Sequence, residues 1–178
     1  ALTDAILAAP LAREPGYIER INAILADHGV DVVLPTHPAE VRALSAARER
    51  VAARLFLPSH EAILGGQDKH ASYQRFRAHG VPVPRSLRIE RPEHVQQAFD
   101  ELGPPPLWFR GAGVPGAGIG VASLPCRTPE HAAAWVDHHR GWGLMMASEL
   151  LPGDNLTHLS VWRDGTPWAS QTRQRLEY

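Results

Sequence analysis

Residues 106–124 read PLWFRGAGVPGAGIGVASL: a short apolar run ending in Arg110, a stretch with five glycines in ten residues, and a second apolar run. Glycines lack a Cβ, so backbone N–H groups can approach a bound anion closely. No helix is expected after the glycines, because the second run is short and Pro125 ends it. The pattern therefore predicts a strand, a glycine-rich loop that can cover phosphates, and a second strand.

Two other interpretations of this stretch stay open. Gly111, Gly113 and Gly116 match the GxGxxG pattern of dinucleotide sites, which requires a helix where residues 119–124 predict a strand. The stretch could also be a surface loop that only joins two strands. A GxxxxGK[ST] phosphate loop is excluded, because no lysine is nearby.

The composition of the 178-residue chain is that of an ordinary globular protein, with 44% hydrophobic residues and a net charge of −1. This charge argues against a general nucleic-acid or membrane surface. Cys126 is the only cysteine, which excludes an internal disulfide and fits a cytoplasmic location. No apolar run approaches the length of a membrane span. No metal site is predicted, since His138 and His139 diverge on a helix without a third ligand.

Hydrophobic periodicity predicts alternating helices and strands in the first third of the chain. A helix from Tyr17 is followed by a buried strand at residues 30–34, a helix from Pro38 and a short strand at residues 56–58. This order predicts part of a parallel α/β layer.

Later segments carry further signals. One helix is predicted over residues 67–79, with its aromatic residues facing inward. Thr128 and Pro129 are typical of a helix start. Residues 155–176 predict a second hairpin. The five tryptophans are predicted to lie in the core rather than on a base-stacking surface.

Three segments, in this order and spacing, resemble the ATP-grasp superfamily. The first begins with DK at residues 68–69 and runs through a helix to GVPVPR at residues 80–85. The second is LWFR at residues 107–110 with the glycine-rich stretch after it, and the third is ELLPGDN at residues 149–155. No single motif is specific, but their joint order over residues 60–175 carries the resemblance.

The resemblance implies an α/β fold of the α+β ATP-grasp type and two domains. Residues 1–65 resemble a partial Rossmann-like layer that precedes the ATP-grasp unit. Residues 66–178 resemble the N-terminal part of the ATP-grasp domain. Within it, the flap subdomain is expected at about 106–148, and a truncated C-terminal subdomain is expected from about 154.

Within the superfamily, the chain resembles the large subunit of carbamoyl-phosphate synthase and related carboxylate–amine ligases. In that group an arginine precedes the flap, as Arg110 does here, and Arg85 matches another nucleotide-contacting arginine. The resemblance implies an enzyme that uses ATP and Mg²⁺ to activate a small carboxylate as an acyl phosphate, which an amine or similar nucleophile attacks. The alternative is a non-catalytic ATP-grasp-like domain that binds nucleotide or regulates.

The resemblance makes Arg110 the catalytic residue, in contact with phosphate oxygens. It implies nucleotide binding also by Lys69, Arg85, Gly116, Gly118, Gly120, Glu149, Leu151 and Asp154. For Lys69, the only lysine, a solvated helix start is the alternative. The family's metal ligands are expected beyond residue 178, so the chain is expected to be a piece of a longer protein and inactive alone. The substrates and the oligomeric state do not follow from the sequence.

Overall fold

The computed structural model describes residues 3–113 and 123–176. The helices are α1 (Tyr17–His28), α2 (Pro38–Ala46), α3 (His60–Gln67), α4 (Lys69–Ala78), α5 (Pro92–Glu101) and α6 (Pro129–His138). The strands are β1 (Val32–Val33), β2 (Arg54–Leu55), β3 (Ser86–Ile89), β4 (Leu107–Gly111), β5 (Leu124–Cys126), β6 (Met145–Glu149), β7 (Asn155–Arg163) and β8 (Thr166–Arg175). In the described residues they form a parallel β1-β2 sheet, an antiparallel sheet of order β3-β6-β4-β5, and the β7-β8 hairpin. This architecture confirms the predicted α/β fold class.

Helices α5 and α6 cover one face of the four-stranded sheet and form the main core with it. Leu107 and Phe109 of β4 belong to this core. Trp108 and Arg110 lie on the opposite face, because side chains alternate along a strand. Phe109 is fully buried, and its ring lies 6.1 Å from that of Phe99 on α5. The alternation in β4 therefore directs Arg110 away from α5 and α6.

A smaller core joins α1 and α2 to the two-stranded sheet, with Tyr17 and Leu44 among its buried members. The parallel pairing of β1 with β2 confirms the predicted parallel arrangement, but the second strand lies at Arg54–Leu55 and not at residues 56–58 as predicted. The buried strand predicted at residues 30–34 is wrong in extent and in burial, because only two residues form β1 and Val32 is 47% exposed. This strand has a single partner in the described residues, so its side chains are only partly covered.

Asp68 interrupts the helix predicted over residues 67–79. It ends α3 and serves as the N-cap of α4, and its side chain accepts a hydrogen bond from the Ala71 N–H at 2.9 Å. The inward orientation predicted for the aromatic residues is wrong for Phe76, which is 48% exposed. The interruption makes Lys69 the first residue of α4.

The start of α6 follows the sequence prediction. The Thr128 hydroxyl accepts a hydrogen bond from the His131 N–H at 3.3 Å, and Pro129 is the first helical residue. Among the helices that the structure describes, none has the length and apolar character needed to cross a membrane.

Strands β4 and β5, on either side of the glycine-rich stretch, pair in antiparallel register, with Phe109 opposite Leu124. This confirms the two strands of the predicted hairpin. Leu124 begins a strand and not a helix, which argues against the dinucleotide interpretation. The predicted loop falls on residues 114–122, outside the described residues. That range contains Gly116, Gly118 and Gly120.

Strands β7 and β8 form the second predicted hairpin. Its turn carries Asp164 and Gly165 at φ angles of 49° and 76°. Two successive positive φ angles suit a tight hairpin turn. Every residue of both strands is exposed, including Trp162 at 58% and Trp168 at 63%. The prediction that all tryptophans lie in the core is therefore wrong for these two.

Substitution of Phe109 tests the main core. Phe109→Ala is expected to lower the free energy of unfolding by about 3–5 kcal/mol, because it removes a fully buried ring and leaves a cavity. Phe76→Ala, at a half-exposed site, is the control and is expected to cost less than about 1 kcal/mol. Urea unfolding followed by circular dichroism measures both, and equal losses would contradict the assignment of the core.

Candidate functional site

The face of the four-stranded sheet opposite α5 and α6 carries two arginines. Arg88 of β3 and Arg110 of β4 both lie opposite Met146 of β6, which separates them. Residues directly opposite each other in an antiparallel sheet project from the same face. In the next row, Ser86 and Trp108 lie opposite Ser148. The register therefore places both arginines on one face, about 10 Å apart at the backbone.

This face also contains buried polar atoms that lack a partner. In the described part of the chain, three buried side-chain atoms make no hydrogen bond, and they are Ser86 Oγ, Arg88 Nε and Arg110 Nε. Buried polar atoms are nearly always hydrogen-bonded in native proteins, so each such atom indicates a missing partner. All three belong to side chains on the same sheet face. The face is therefore suited to a polar, anionic ligand.

Tyr73 of α4 holds the Arg110 side chain. Arg110 Nη2 donates a hydrogen bond to Tyr73 Oη at 2.5 Å, and Arg110 Cζ lies 5.7 Å from the centre of the tyrosine ring. The ring face attracts the cation but does not neutralise it. No carboxylate of the described residues forms an ion pair with Arg110. Its charge is thus oriented and left uncompensated.

Lys69 lies close to Arg110. Its main-chain N–H donates to the Ala112 carbonyl at 2.7 Å, which joins the start of α4 to the end of β4. Burial lowers the pKa of Lys69, the charge of Arg110 lowers it further, and Asp68 offsets this only in part. The protonated Lys69 amine therefore lowers the free energy of unfolding. This penalty is complete at pH values below the folded-state pKa, and it disappears as the pH rises to the pKa of the unfolded state. An anion beside Lys69 would remove this penalty.

Asp68 is already engaged by other groups. One carboxylate oxygen caps α4, and the other accepts a hydrogen bond from Arg88 Nη2 at 3.3 Å. We call Lys69, Arg88 and Arg110 the cation cluster. Asp68 compensates part of the charge of this cluster, through its ion pair with Arg88. Among the described residues, no carboxylate lies within ion-pair distance of Lys69 or Arg110.

Arg85 and Glu149, both predicted to bind nucleotide, are paired with each other. The Arg85 main-chain N–H and Nε donate to the two Glu149 carboxylate oxygens at 2.7 and 3.2 Å. The main-chain hydrogen bond from Arg85 is the first cause of the lowered pKa of Glu149. The Arg85 guanidinium also donates to the carbonyls of Glu101 and Leu102 at the end of α5. The pair therefore joins β3, β6 and α5.

The remaining predicted residues are more scattered. Leu151 and Asp154 lie in the exposed connection between β6 and β7, and no hydrogen bond or ion pair of the described residues joins them to the cation cluster. Cys126 is buried, which raises the pKa of its thiol to about 11 and disfavours the thiolate needed of a nucleophile. Residues 3–113 and 123–176 contain no group of three or more His, Cys, Asp or Glu side chains placed to hold a metal ion.

Sequence reasoning missed Arg88 and Tyr73 as members of the site. The alternation of Ser86, Leu87, Arg88 and Ile89 indicates that Arg88 faces away from the apolar side, but only the pairing through β6 places it beside Arg110. For Tyr73 the sequence predicts an inward orientation and no partner. Arg88 belongs to no motif of the sequence, and Tyr73 lies within the first segment of the resemblance, which gives it no role.

Comparisons with known proteins identify the fold. No protein-family model matches the sequence, and no curated protein matches it. Solved structures do match. The D-alanine-D-alanine ligase from Coxiella burnetii aligns with a TM-score of 0.65 and 21% identity, over 82% of this chain and 44% of that chain.

Two further structures give the same result. N5-carboxyaminoimidazole ribonucleotide synthetase from Thermus thermophilus aligns with a TM-score of 0.59 and 18% identity, over 89% of this chain and 44% of its own. The biotin carboxylase domain of 2-oxoglutarate carboxylase from Hydrogenobacter thermophilus, in complex with MgADP, ADP and bicarbonate, aligns with a TM-score of 0.58 and 18% identity, over 80% and 33%.

The chain therefore shares part of the ATP-grasp fold, as its sequence predicts. It spans less than half of the length of each of these three structures. Identities at this level establish the fold and leave the reaction and substrates to be argued from the chain itself.

Replacement of Arg110 tests the electrostatic contact with Lys69. Arg110→Gln is expected to raise the Lys69 pKa toward its ordinary value, although burial keeps it lowered. NMR titration of the lysine ε-methylene signal, assigned by its loss in Lys69→Arg, measures the change. Arg85→Gln, which removes a charge paired with Glu149, is the control and should leave the Lys69 pKa unchanged. An unchanged pKa in Arg110→Gln would show that the two cations do not interact.

Proposed function

We propose that this chain is the ATP-binding portion of an ATP-dependent ligase that activates a carboxylate as an acyl phosphate for attack by an amine or similar nucleophile. The observation that carries the proposal is the cation cluster. Lys69 lies between the charges of Arg110 and Asp68, Asp68 pairs with Arg88, and both arginines have a buried Nε without a hydrogen-bond partner among the described residues. This arrangement occurs in a fold that the chain shares with known ligases.

The cluster fits the phosphates of ATP in charge and in geometry. Arginine keeps its charge at all working pH values, and its planar fork can hold two phosphate oxygens. Lys69 adds a compact point charge beside Arg110. The fold holds these cations together before a ligand binds, so their mutual repulsion is already part of the folded state. A phosphate therefore gains their attraction with little rearrangement.

The proposed roles are those that the resemblance to ATP-grasp ligases implies, with Tyr73 added from the structure. Arg110 and Lys69 bind phosphate oxygens, and Tyr73 orients Arg110. The main-chain N–H groups of Gly116, Gly118 and Gly120 bind the β- and γ-phosphates. Main-chain groups from Glu149 to Leu151 bind adenine, and Asp154 binds the ribose. The Arg85 side chain already donates to Glu149 and to the end of α5. A contact between Arg85 and nucleotide would have to add to these hydrogen bonds or replace them.

The remaining elements of the proposal concern domain organisation, the metal ion and the group of ligases. Residues 1–65 form a partial layer before the ATP-grasp unit, and residues 66–178 form its N-terminal part. Mg²⁺ supplies the charge that offsets the transferring phosphoryl group, with protein ligands outside the described residues. An arginine at position 110 supports a likeness to carbamoyl-phosphate synthase and related carboxylate–amine ligases. On this proposal the chain is inactive by itself.

Substitution of Arg110 tests the proposal. Arg110→Ala in the intact protein is expected to lower ATP turnover roughly 100-fold, because a charge-assisted contact to the transferring phosphate contributes a few kcal/mol. Arg110→Lys is expected to recover part of that activity, since it keeps the charge and loses the bidentate contact. Turnover and melting temperature are measured together for the wild type and both variants.

The outcomes separate catalysis from structure and from binding alone. A large fall in melting temperature with unchanged turnover would make Arg110 a structural residue and contradict the assignment. ATP binding without any turnover in the wild-type protein would favour the non-catalytic alternative. Arg163→Ala, which removes an exposed ion pair with Asp164 on the β7-β8 hairpin, is the control and should change neither quantity appreciably.

A further inference from the structure

Arg42 of α2 reaches across to the end of β4. Its Nε and Nη2 donate to Gln67 Oε1 at 2.9 and 2.6 Å, and Nη2 also lies 3.5 Å from the Gly113 carbonyl oxygen. Gln67, the last residue of α3, donates in turn from Nε2 to the Pro38 carbonyl at 3.0 Å. These contacts connect residues that are 71 positions apart in the chain.

The same junction is closely packed. A Cβ on Gly113 would lie 1.9 Å from the Gln67 carbonyl oxygen and 3.3 Å from Lys69 Nζ. Gly113 also has a φ angle of +90°, which side chains rarely adopt. The Lys69 N–H donates to the Ala112 carbonyl immediately beside it, and the Ala112 N–H donates to the Leu144 carbonyl. The end of β4 is thus fixed against the α3–α4 junction.

This arrangement determines where Lys69 lies relative to Arg110. Arg110 precedes Ala112 by two residues, and Lys69 follows Gln67 by two residues. If the α3–α4 junction moved away from Ala112 and Gly113, the Lys69 amine would move away from the Arg110 guanidinium. Arg42 holds both sides of this junction, because one nitrogen contacts Gln67 and Gly113 together.

We propose that Arg42, acting through Gln67, is a positioning residue for phosphate binding: it holds the α3–α4 junction on the end of β4 and so keeps Lys69 beside Arg110. The inference rests on the proposed function. It places a determinant of phosphate affinity in α2, outside the segments that carry the resemblance to ligases. Arg42 itself contacts no nucleotide.

The test compares ligands with and without phosphates. In the intact protein, Arg42→Met is expected to weaken ATP binding about five- to tenfold, because a displaced Lys69 amine keeps only part of its attraction for the phosphates. Adenosine binding should change less than about twofold, within the effect of a distant surface change. Arg42→Lys, which keeps one donor, should fall between. Calorimetry measures the affinities, and the NMR titration of Lys69 should give a higher pKa in Arg42→Met.

Arg48 provides a matched control in the same part of the chain. Its Nη2 also donates to main-chain carbonyls, those of Leu57 and Pro58, and has no contact with Gly113. Arg48→Met is expected to change melting temperature as Arg42→Met does and to leave both affinities and the Lys69 pKa unchanged. Gly113→Ala supplies a second variant if Arg42→Met fails to fold, since its Cβ displaces the same junction.

The outcomes distinguish failure of the role inferred for Arg42 from failure of the proposed function. If Arg42→Met weakens ATP and adenosine binding equally, or no more than Arg48→Met does, the inference is overturned and the proposed function stands. If Arg42→Met does not fold and Gly113→Ala leaves ATP affinity unchanged, the inference is also overturned. If the wild-type protein binds neither ATP nor adenosine, the proposed function and the inference fall together.

Discussion

The antiparallel register of β4 against β6, and of β6 against β3, is the constraint on which the rest of the site depends. It directs Leu107 and Phe109 into the core with α5 and α6, and by the same alternation it brings Arg88 and Arg110 onto the opposite face. A shift of one residue would exchange the two faces and bury the guanidinium groups in an apolar core. The same strand register is therefore required for the packing of the core and for the position of the cations.

Asp68 gives this face its asymmetry. Asp68 lies between α3 and α4, and the turn of the chain there places Lys69 near the end of β4. The Asp68 oxygen that does not cap α4 accepts a hydrogen bond from Arg88. The negative charge is thereby committed to one side of the cation cluster. Among the described residues, no carboxylate pairs with Lys69 or Arg110. Their charges therefore stabilise the protein with a bound anion more than the ligand-free protein.

The sequence predicts those parts of the fold that short segments determine. The Thr128-Pro129 start of α6 and the strands around the glycine-rich stretch are confirmed because caps, prolines and alternation act over a few residues. The break at Asp68 does not follow from the sequence, since Asp is compatible with the interior of a helix and with its cap. The exposure of Trp162 and Trp168 does not follow either, because hydrophobicity does not say what covers a strand.

The site is predictable only in part, for a related reason. Arg110 and Lys69 belong to motifs, and the structure brings them together. The partners of Arg85 are not predictable, because Glu149 is 64 residues away and only the sheet pairing brings the two into contact. Arg42 belongs to no motif, and its contact with Gly113 depends on how α2 packs on α3.

A crystal structure of the intact protein with Mg²⁺ and a non-hydrolysable ATP analogue would show directly whether Lys69 and Arg110 bind the phosphates. We expect phosphate oxygens within about 2.7–3.2 Å of both the Arg110 guanidinium and Lys69 Nζ, over the sheet face that carries Ser86 and Arg88. Phosphates bound elsewhere, with Arg110 still held only by Tyr73, would contradict this expectation.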